Sequence, residues 1–385
     1  MITRLSLTNF KCFKSCDIKI APLTVLAGIN SVGKSTVIES MLLLRESQKR
    51  SENLEIPAFN LRLNNQYMHL GTDIDVLCDF SDNSEIRIKL YDTDTSDKER
   101  MFDGAWSTKV NEKSEPSSIL QPIYMPQRKG DVEIFLRSAL FAKNSSQYID
   151  FSFISADRLG PRSRFEVPDE SVEMNHNIGS KGEYAAFYFY HMSRQKMPLT
   201  GMADSGETKT IGFQVTKWMG YISPGYQIHA KVERDMDAAL LSYAQKNGAK
   251  DRRSANVGFG LTYTFPIVLA LLNVSRGGLV ILENPEAHLH PKAQSMVGEL
   301  IARAVQNGAQ VILETHSDHI INGIRVAIKE KRLDSHKLLI NFFSEPSKDV
   351  SDPVITEIHA DNEGKLSEWP QDFMSEWEDN LFKLI

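Results

Sequence analysis

Residues 27–36 read Ala-Gly-Ile-Asn-Ser-Val-Gly-Lys-Ser-Thr, and this stretch carries the most specific motif in the sequence. Gly28, four intervening residues and then Gly33-Lys34-Ser35 match the phosphate-binding loop G-x-x-x-x-G-K-S/T at every fixed position. In this motif backbone N–H groups surround the phosphates, the lysine binds the β and γ phosphates, and the Ser35 hydroxyl is a ligand of Mg²⁺. We therefore predict a nucleoside-triphosphate site, whose loop residues are Gly28, Ile29, Asn30, Ser31, Val32, Gly33, Lys34, Ser35 and Thr36.

The flanks of the loop support this prediction. Residues 22–27 form a short apolar run that is typical of a buried parallel strand. Residues 36–45 carry apolar side chains at helical spacing, with Val37, Met41 and Leu44 on one face. A strand, a glycine loop and a helix in this order are the context in which the motif binds phosphate. The alternative is a tight turn that contains Gly-Lys-Ser by chance.

Composition is that of an ordinary globular protein. Of the 385 residues, 41% are hydrophobic and 24% are charged, and the net charge of −6 gives no support for a basic DNA-binding surface over the whole molecule. The sequence contains no apolar run near the roughly 18 residues that span a bilayer, and its N-terminus lacks the regions of a signal peptide. Three cysteines are too few for a disulfide framework or a zinc site. We expect a cytoplasmic protein without a membrane partner.

The order of apolar patterns predicts an α/β protein with two lobes. Strand and helix patterns around the phosphate loop return in the last third of the chain, so residues 1–164 and 256–385 are expected to form a nucleotide-binding lobe. Residues 165–255 are predicted to be an inserted, mostly helical lobe. Its predicted helices include residues 210–221 and residues 232–245.

A second buried strand is predicted over residues 279–282, Leu-Val-Ile-Leu, and it is followed by Glu283-Asn-Pro-Glu286. A strand of this kind that ends in an acid is typical of the Walker B motif, which places a carboxylate beside the Mg²⁺ held by Ser35. We assign this role to Glu283, directly or through a water molecule. The alternative is that Glu283 only caps the next segment.

A third buried strand, residues 310–313, is followed by Glu-Thr-His316-Ser-Asp. Nucleotides bind at the carboxyl edge of open α/β sheets, so His316 is placed to bond the γ phosphate or the attacking water. The pattern fits equally well if Ser317 or Asp318 caps the following helix and His316 is incidental. His288 and His290 are two residues apart and cannot share a helix face, so a structural role is expected for them instead of metal binding.

Residues 256–262 read Asn-Val-Gly-Phe-Gly-Leu-Thr, in which two glycines and a hydroxyl open a helix. Such a helix start can offer N–H groups to an anion. From the residues alone, a plain helix start is the better interpretation.

Several of these phrases together resemble a known family. The order of Asn9-Phe-Lys-Cys-Phe13, the phosphate loop with Asn30, residues 283–291 and residues 315–319 is similar to that of the ABC-type ATPases of the RecF, SMC and OLD (overcoming lysogenization defect) group. It resembles most closely the stand-alone OLD-related AAA ATPases. The resemblance implies an ABC-type P-loop ATPase head, with a mixed β-sheet lobe and an inserted helical lobe, that binds ATP and Mg²⁺.

The resemblance also implies roles for single residues. It makes Glu283 the Walker B acid and His316 the switch histidine. The signature motif corresponds to Gly258, Gly260 and Thr262, which would act on ATP bound to a second copy of the chain and so imply an ATP-dependent homodimer. Asn284 occupies the position of the catalytic glutamate, so we expect slow hydrolysis, with Glu286 as the one nearby carboxylate that could replace it as base.

For function, the resemblance implies an ATP-dependent dimerisation switch that controls a separate effector, a nuclease or toxin, in anti-phage defence. From the 69 residues (385 − 316) that follow His316, we do not expect the TOPRIM nuclease domain that follows the ATPase in OLD proteins. A RecF- or SMC-like repair ATPase that clamps DNA directly is the main alternative. A scaffold that binds ATP without turning it over is a third.

Overall fold

The structure is a computed structural model, and it describes residues 1–49, 59–93, 99–108, 115–124, 140, 149–169, 177–245, 251–346, 352–370, 373 and 383–384. The strands are β1 (Ile2–Phe10), β2 (Phe13–Lys19), β3 (Leu23–Gly28), β4 (Leu61–Arg62), β5 (Glu85–Thr93), β6 (Glu99–Ser107), β7 (Ile119–Tyr124), β8 (Ile149–Ile154), β9 (Phe165–Glu166), β10 (Tyr226–Glu233), β11 (Ala238–Gln245), β12 (Arg252–Arg253), β13 (Val274–Glu283), β14 (Gln310–Glu314), β15 (Leu338–Ser344) and β16 (Val354–Ile358). The α-helices are α1 (Lys34–Lys49), α2 (Asp73–Val76), α3 (Ala185–Met192), α4 (Ile211–Ile222), α5 (Phe259–Asn273), α6 (Pro291–Gln306) and α7 (Asp318–Lys329). Short 3₁₀ turns lie at Thr200–Met202, Arg234–Met236, Ser254–Asn256 and Ser335–Lys337.

The central sheet positions the phosphate loop. Its strand order is β16-β15-β3-β14-β13-β8, and every pair except β15–β16 is parallel. The loop leaves the end of β3, and α1 begins at Lys34, so the predicted strand, loop and helix are confirmed. β3 and β14 are buried almost throughout, as expected for parallel strands that are covered on both faces.

A second, antiparallel sheet of order β2-β1-β5-β6-β7-β4 lies on the other side of α1. One buried cluster joins Met41 of α1 to Ile281 of the central sheet and to Leu5 and Ile88 of the second sheet. Burying an aliphatic side chain of this size stabilises a fold by about 1.5–3 kcal/mol. The helix that follows the phosphate loop is therefore held between two sheets.

The opposite face of the central sheet is covered by helices. Leu269 of α5, Val297 of α6 and Ile324 of α7 share one buried cluster with Leu282 and Leu313 of the sheet. Among the helices that the structure describes, none combines the length and the apolar character needed to cross a membrane.

Residues 165–255 combine α3 and α4 with a small sheet of β9–β12. The helix predicted over residues 210–221 is confirmed as α4. The helix predicted over residues 232–245 is wrong, because β10 and β11 pair antiparallel there. Alanine, leucine and glutamine favour a helix by local propensity, but strand pairing and burial override that preference. The described part of this region is thus mixed α/β, and its boundaries as a separate lobe stay a prediction.

Candidate nucleotide-binding site

The two glycines of the phosphate loop are required by its backbone. Gly28 and Gly33 have φ angles of +131° and +100°, in the region that favours glycine. A Cβ atom at Gly28 would lie 2.0 Å from the carbonyl oxygen of Phe343, and one at Gly33 would lie 2.5 Å from Cζ of Phe13. The loop can therefore curve tightly only with glycine at both places.

Lys34 lies inside this curve. Its side chain is buried, with the residue 4% exposed. Nζ donates to the carbonyl oxygen of Gly28 at 3.0 Å and also to that of Ile29. Burial lowers the pKa of Lys34, and the nearby carboxylate of Glu314 opposes this shift. The loop thus encloses a cation at the N-terminus of α1, where the helix dipole also favours an anion.

The turn between β1 and β2 packs against the phosphate loop. Asn9 and Lys11 have left-handed backbones, with φ of 55° and 53°. This turn brings the ring of Phe13 against Gly33, and Nζ of Lys11 lies 2.6 Å from a carboxylate oxygen of Glu39 in α1. Residues 9–13 contribute to the family resemblance, but their contact with the phosphate loop was not predicted from the sequence.

Two acids end neighbouring strands of the central sheet on the α1 face. In register, Glu283 of β13 pairs with Glu314 of β14, which pairs with Leu26 of β3. Ile281 and Ile312, each two residues before an acid, belong to the cluster that contains α1, so alternation places both acids on that face.

The hydroxyl of Ser35 contacts Glu314. Oγ of Ser35 lies 3.1 Å from Oε1 and 3.2 Å from Oε2 of that carboxylate. Burial raises the pKa of Glu314, with a smaller contribution from Glu39, while Ser35 and Lys34 lower it. Sequence reasoning missed Glu314, although its position two residues before His316 and at the end of a predicted strand was a usable signal.

The carboxylate of Glu283 makes its hydrogen bond on the side of β13 that faces β8. Its Oε2 accepts a hydrogen bond of 3.1 Å from the backbone N–H of Ala156. Burial, with a smaller contribution from Glu314, raises the pKa of Glu283 to about 7. The predicted pairing of this carboxylate with Mg²⁺ beside Ser35 stays a prediction. The donor set fits Mg²⁺, because a hydroxyl and carboxylates are the oxygen ligands that this ion takes from proteins.

The described part of the chain contains no preformed cluster of metal-binding side chains. Among the residues that the structure describes, no three or more His, Cys, Asp or Glu side chains are arranged to hold a metal ion by themselves. This arrangement is compatible with Mg²⁺, which usually binds through one or two carboxylates together with substrate phosphates.

Asn284 has a left-handed backbone, with φ of 43°. Its N–H donates to the carbonyl oxygen of Glu314 at 2.9 Å. Its side-chain Oδ1 is buried and, among the described residues, has no hydrogen-bond partner. An oxygen in this state is costly to bury unless another group satisfies it.

Arg158 holds the same turn in place. It is 2% exposed, and it donates from Nη1 to the carbonyl oxygens of Ser155 (2.7 Å) and Glu283 (2.8 Å). Nη2 donates to the carbonyl oxygen of Asn284 at 2.8 Å. Burial lowers the pKa of Arg158 to about 10. No role was predicted for this arginine from the sequence.

Glu286 joins the turn after β13 to the loop after β14. Oε2 accepts from the hydroxyl of Thr315, and Oε1 accepts from the N–H of His316, both at 2.8 Å. The structure therefore brings together three of the predicted catalytic residues: Asn284 and Glu286 follow one strand, and His316 follows the next.

His316 is exposed at this edge of the sheet. Although the residue is exposed, the surrounding protein shields part of its ring from water, and this partial burial, together with the charge of Lys34, lowers the pKa of His316. Ser317 caps α7, because its hydroxyl accepts from the N–H of Ile320 at 3.1 Å. His290 has the structural role expected of it, since its Nδ1 accepts from the N–H of Lys292 and caps α6.

The predicted signature residues open α5. Gly258 is the N-cap, and a Cβ atom there would meet no atom within 4 Å. A Cβ atom at Gly260 would lie 2.9 Å from the carbonyl oxygen of His288, so this glycine serves a close contact within the chain. The buried hydroxyl of Thr262 donates to the carbonyl oxygen of Phe259 at 3.0 Å. Of the three, Gly258 is the residue with open space around it.

Two family models match parts of the chain. A family model described as "AAA domain, putative AbiEii toxin, Type IV TA system" matches residues 23–322. Another, described as "Protein of unknown function (DUF3696)", matches residues 333–384. No curated protein matches the chain.

Among solved structures, the fold is similar to that of SMC head domains. An Smc head domain with an extended coiled coil, bound to the C-terminal domain of ScpA and derived from Pyrococcus furiosus, is 12% identical with a TM-score of 0.53, and the match covers 100% of this chain and 99% of that one. An SmcHead bound to the C-winged helix domain of ScpA is 13% identical with a TM-score of 0.50, over 93% of this chain and 98% of that one. The predicted fold class, an α/β ABC-type ATPase head, is confirmed.

Proposed function

We propose, on the premise that the chain belongs to the AAA-domain family whose model matches residues 23–322, that it binds ATP with Mg²⁺ and hydrolyses it slowly. The observation that carries this proposal is the phosphate loop, in which two left-handed glycines enclose the ammonium group of Lys34. Backbone N–H groups of the loop bind the phosphates, and Lys34 exchanges its carbonyl partners for oxygens of the β and γ phosphates. Ser35, together with Glu283 directly or through a water molecule, would hold Mg²⁺, which neutralises charge on the phosphates.

Slow hydrolysis is supported by the turn after β13. Asn284 orients water by accepting a hydrogen bond, but an amide cannot take a proton near neutral pH. Glu286 is the alternative base, but both of its carboxylate oxygens already accept hydrogen bonds, from Thr315 and His316. We infer that Glu286 mainly positions His316, whose ring then bonds the γ phosphate.

We further propose that ATP closes a homodimer. In this arrangement Gly258, Gly260 and Thr262 of one copy contact ATP bound to the other copy. The open space at Gly258 supports a contact of this kind. Two similar SMC heads carry a bound domain of ScpA, and the description of the matching family names a putative toxin. On this basis we propose that the dimer controls a separate effector, a nuclease or toxin, in anti-phage defence.

A second candidate function is a DNA clamp of the RecF or SMC type. The likeness of the fold to SMC heads favours it. Binding of duplex DNA by the purified chain, strengthened by ATP and weakened by salt, would distinguish it from an effector switch.

The site itself is tested by calorimetry of ATP binding. Lys34→Ala removes a buried cation, a loss of about 3 kcal/mol or more, so we expect ATP to bind at least about 100-fold more weakly. Lys19→Ala is the control, because Lys19 is exposed and pairs with Glu357. Equal ATP affinity of the Lys34 variant and the wild type would contradict the site.

A further inference from the structure

We propose that Glu314 is a direct ligand of the Mg²⁺ that accompanies ATP, and that it shares this ion with Ser35. This inference rests on the proposed function, because it concerns the same nucleotide site. It adds a metal-binding residue from β14, a strand that the sequence had linked only to His316.

The strand order favours Glu314 over Glu283 as the acid beside Ser35. β14 lies directly next to β3, whereas β13 lies one strand further away. Neighbouring strands are about 4.8 Å apart, so the end of β13 is about twice as far from the end of β3 as the end of β14 is. The phosphate loop leaves the end of β3, and Ser35 follows it in the first turn of α1. The nearer acid is therefore Glu314.

The contact itself has the spacing of a shared metal ion. Oγ of Ser35 lies 3.1 Å and 3.2 Å from the two carboxylate oxygens of Glu314. Two adjacent oxygens of an octahedral Mg²⁺ site with bonds of about 2.1 Å are about 3.0 Å apart. These two side chains thus already have the separation that a shared Mg²⁺ requires.

The charges around Glu314 also call for a cation. Glu314 is 7% exposed, and burial of a carboxylate is costly unless it is paired. Glu39 and Glu286 are negative groups that act on it, and Glu283 at the end of β13 is a third. Lys34 is a positive group that opposes them. When Lys34 binds phosphate instead, the carboxylates would face the added negative charge of ATP. A divalent ion at Ser35 and Glu314 neutralises this excess.

The test measures the affinity of the chain for Mn²⁺ by electron paramagnetic resonance. The non-hydrolysable ATP analogue with a β,γ-imido bridge is present throughout. Glu314→Gln keeps an oxygen that accepts from Ser35 but removes the charge. We expect it to weaken Mn²⁺ binding by at least about 10-fold, in the range seen when groups around a metal are removed. Binding of the same analogue in EDTA should remain within about 2-fold of the wild type.

Matched variants make the outcome specific. Glu46→Gln removes a buried carboxylate of α1 that bonds Gln66, away from the site, and should leave Mn²⁺ affinity within about 2-fold. Glu314→Asp keeps the charge on a shorter side chain and should bind Mn²⁺ better than Glu314→Gln, and thermal melting checks that each variant is folded. Unchanged Mn²⁺ affinity in folded Glu314→Gln would overturn this assignment alone. A wild-type chain that binds no analogue, even with Mn²⁺, would overturn the proposed function and the assignment with it.

Discussion

Arg158 donates from Nη2 to the carbonyl oxygen of Asn284 at 2.8 Å, and it thereby fixes the turn that carries the predicted catalytic position. The same guanidinium bonds the carbonyl oxygens of Ser155 and Glu283, so it ties the end of β8 to the end of β13. All three acceptors of these bonds are backbone carbonyl oxygens. We therefore regard it as a positioning residue.

The first prediction concerns Arg158→Lys. A lysine keeps the charge but cannot donate to three carbonyl oxygens in the fixed geometry of a guanidinium. Since each hydrogen bond to a charged group contributes about 1.5–3 kcal/mol, we expect a loss of about 3 kcal/mol in the free energy of unfolding, measured by denaturant titration. Arg4→Lys, at an exposed pair with Asp17, should change it by less than about 1 kcal/mol. Equal stability of the two variants would mean that these hydrogen bonds contribute little.

A second prediction concerns the rate of hydrolysis. If Asn284 limits the rate, Asn284→Glu supplies a general base and should raise single-turnover hydrolysis by roughly 10²–10⁴-fold. Asn284→Gln is the matched control, because it shares the left-handed strain and the length of the new side chain but cannot take a proton. It should not speed the reaction.

Glu286→Gln tests whether Glu286 is the general base. If Glu286 is the base, this variant should lose hydrolysis and keep ATP binding, and Asn284→Glu should have no effect. Fast turnover by the wild type that neither substitution alters would place the catalytic residue elsewhere.

A third prediction follows from the pKa of Glu283, which burial raises from an ordinary value of 4.5 to about 7. Below pH 4.5 the carboxyl is protonated in both the folded and the unfolded chain. As pH rises from 4.5 to 7, the unfolded chain releases this proton first, so the folded state loses stability, by an amount on the order of 3 kcal/mol. Glu283→Gln removes this loss.

We therefore expect the melting temperature of Glu283→Gln, measured in EDTA without nucleotide, to exceed that of the wild type by a margin that grows between pH 5 and pH 8. Glu233→Gln, at the surface pair with Lys231, should show a margin that does not change with pH in this way. A constant difference for Glu283→Gln would contradict the raised pKa.

Local patterns allowed much of the fold to be predicted. The phosphate loop, β3 and α1 follow from consecutive residues whose spacing and glycines carry the signal. α4 follows from helical periodicity in the same way. The helix predicted over residues 232–245 failed because strand pairing is a contact between distant residues, which local propensity does not contain.

The acid that contacts Ser35 could not be predicted from the sequence for a similar reason. Choosing between Glu283 and Glu314 requires the order of β3, β14 and β13 in the sheet, and this order is a property of the folded chain. Sequence analysis placed both strands at the same edge but could not say which one lies next to the loop. The contacts of Arg158 with three carbonyl oxygens depend on the same packing.

The OLD-related defence subgroup, the effector and the homodimer stay predictions. The family match and the SMC-head fold support an ABC-type AAA ATPase and do not distinguish among the roles of such proteins. Of these predictions, the ATP-dependent dimer is the one on which the switch depends.

Sedimentation velocity with and without ATP and Mg²⁺ tests that switch most directly. We expect the wild type to change from monomer to dimer, or to change the shape of an existing dimer, when ATP and Mg²⁺ are added. Gly258→Trp places bulk in the open space at the start of α5 and should block this change while ATP still binds. Gly220→Trp, at an equally open position in α4, is the matched control and should behave as the wild type does. The same sedimentation of the wild type in every nucleotide state would contradict the switch.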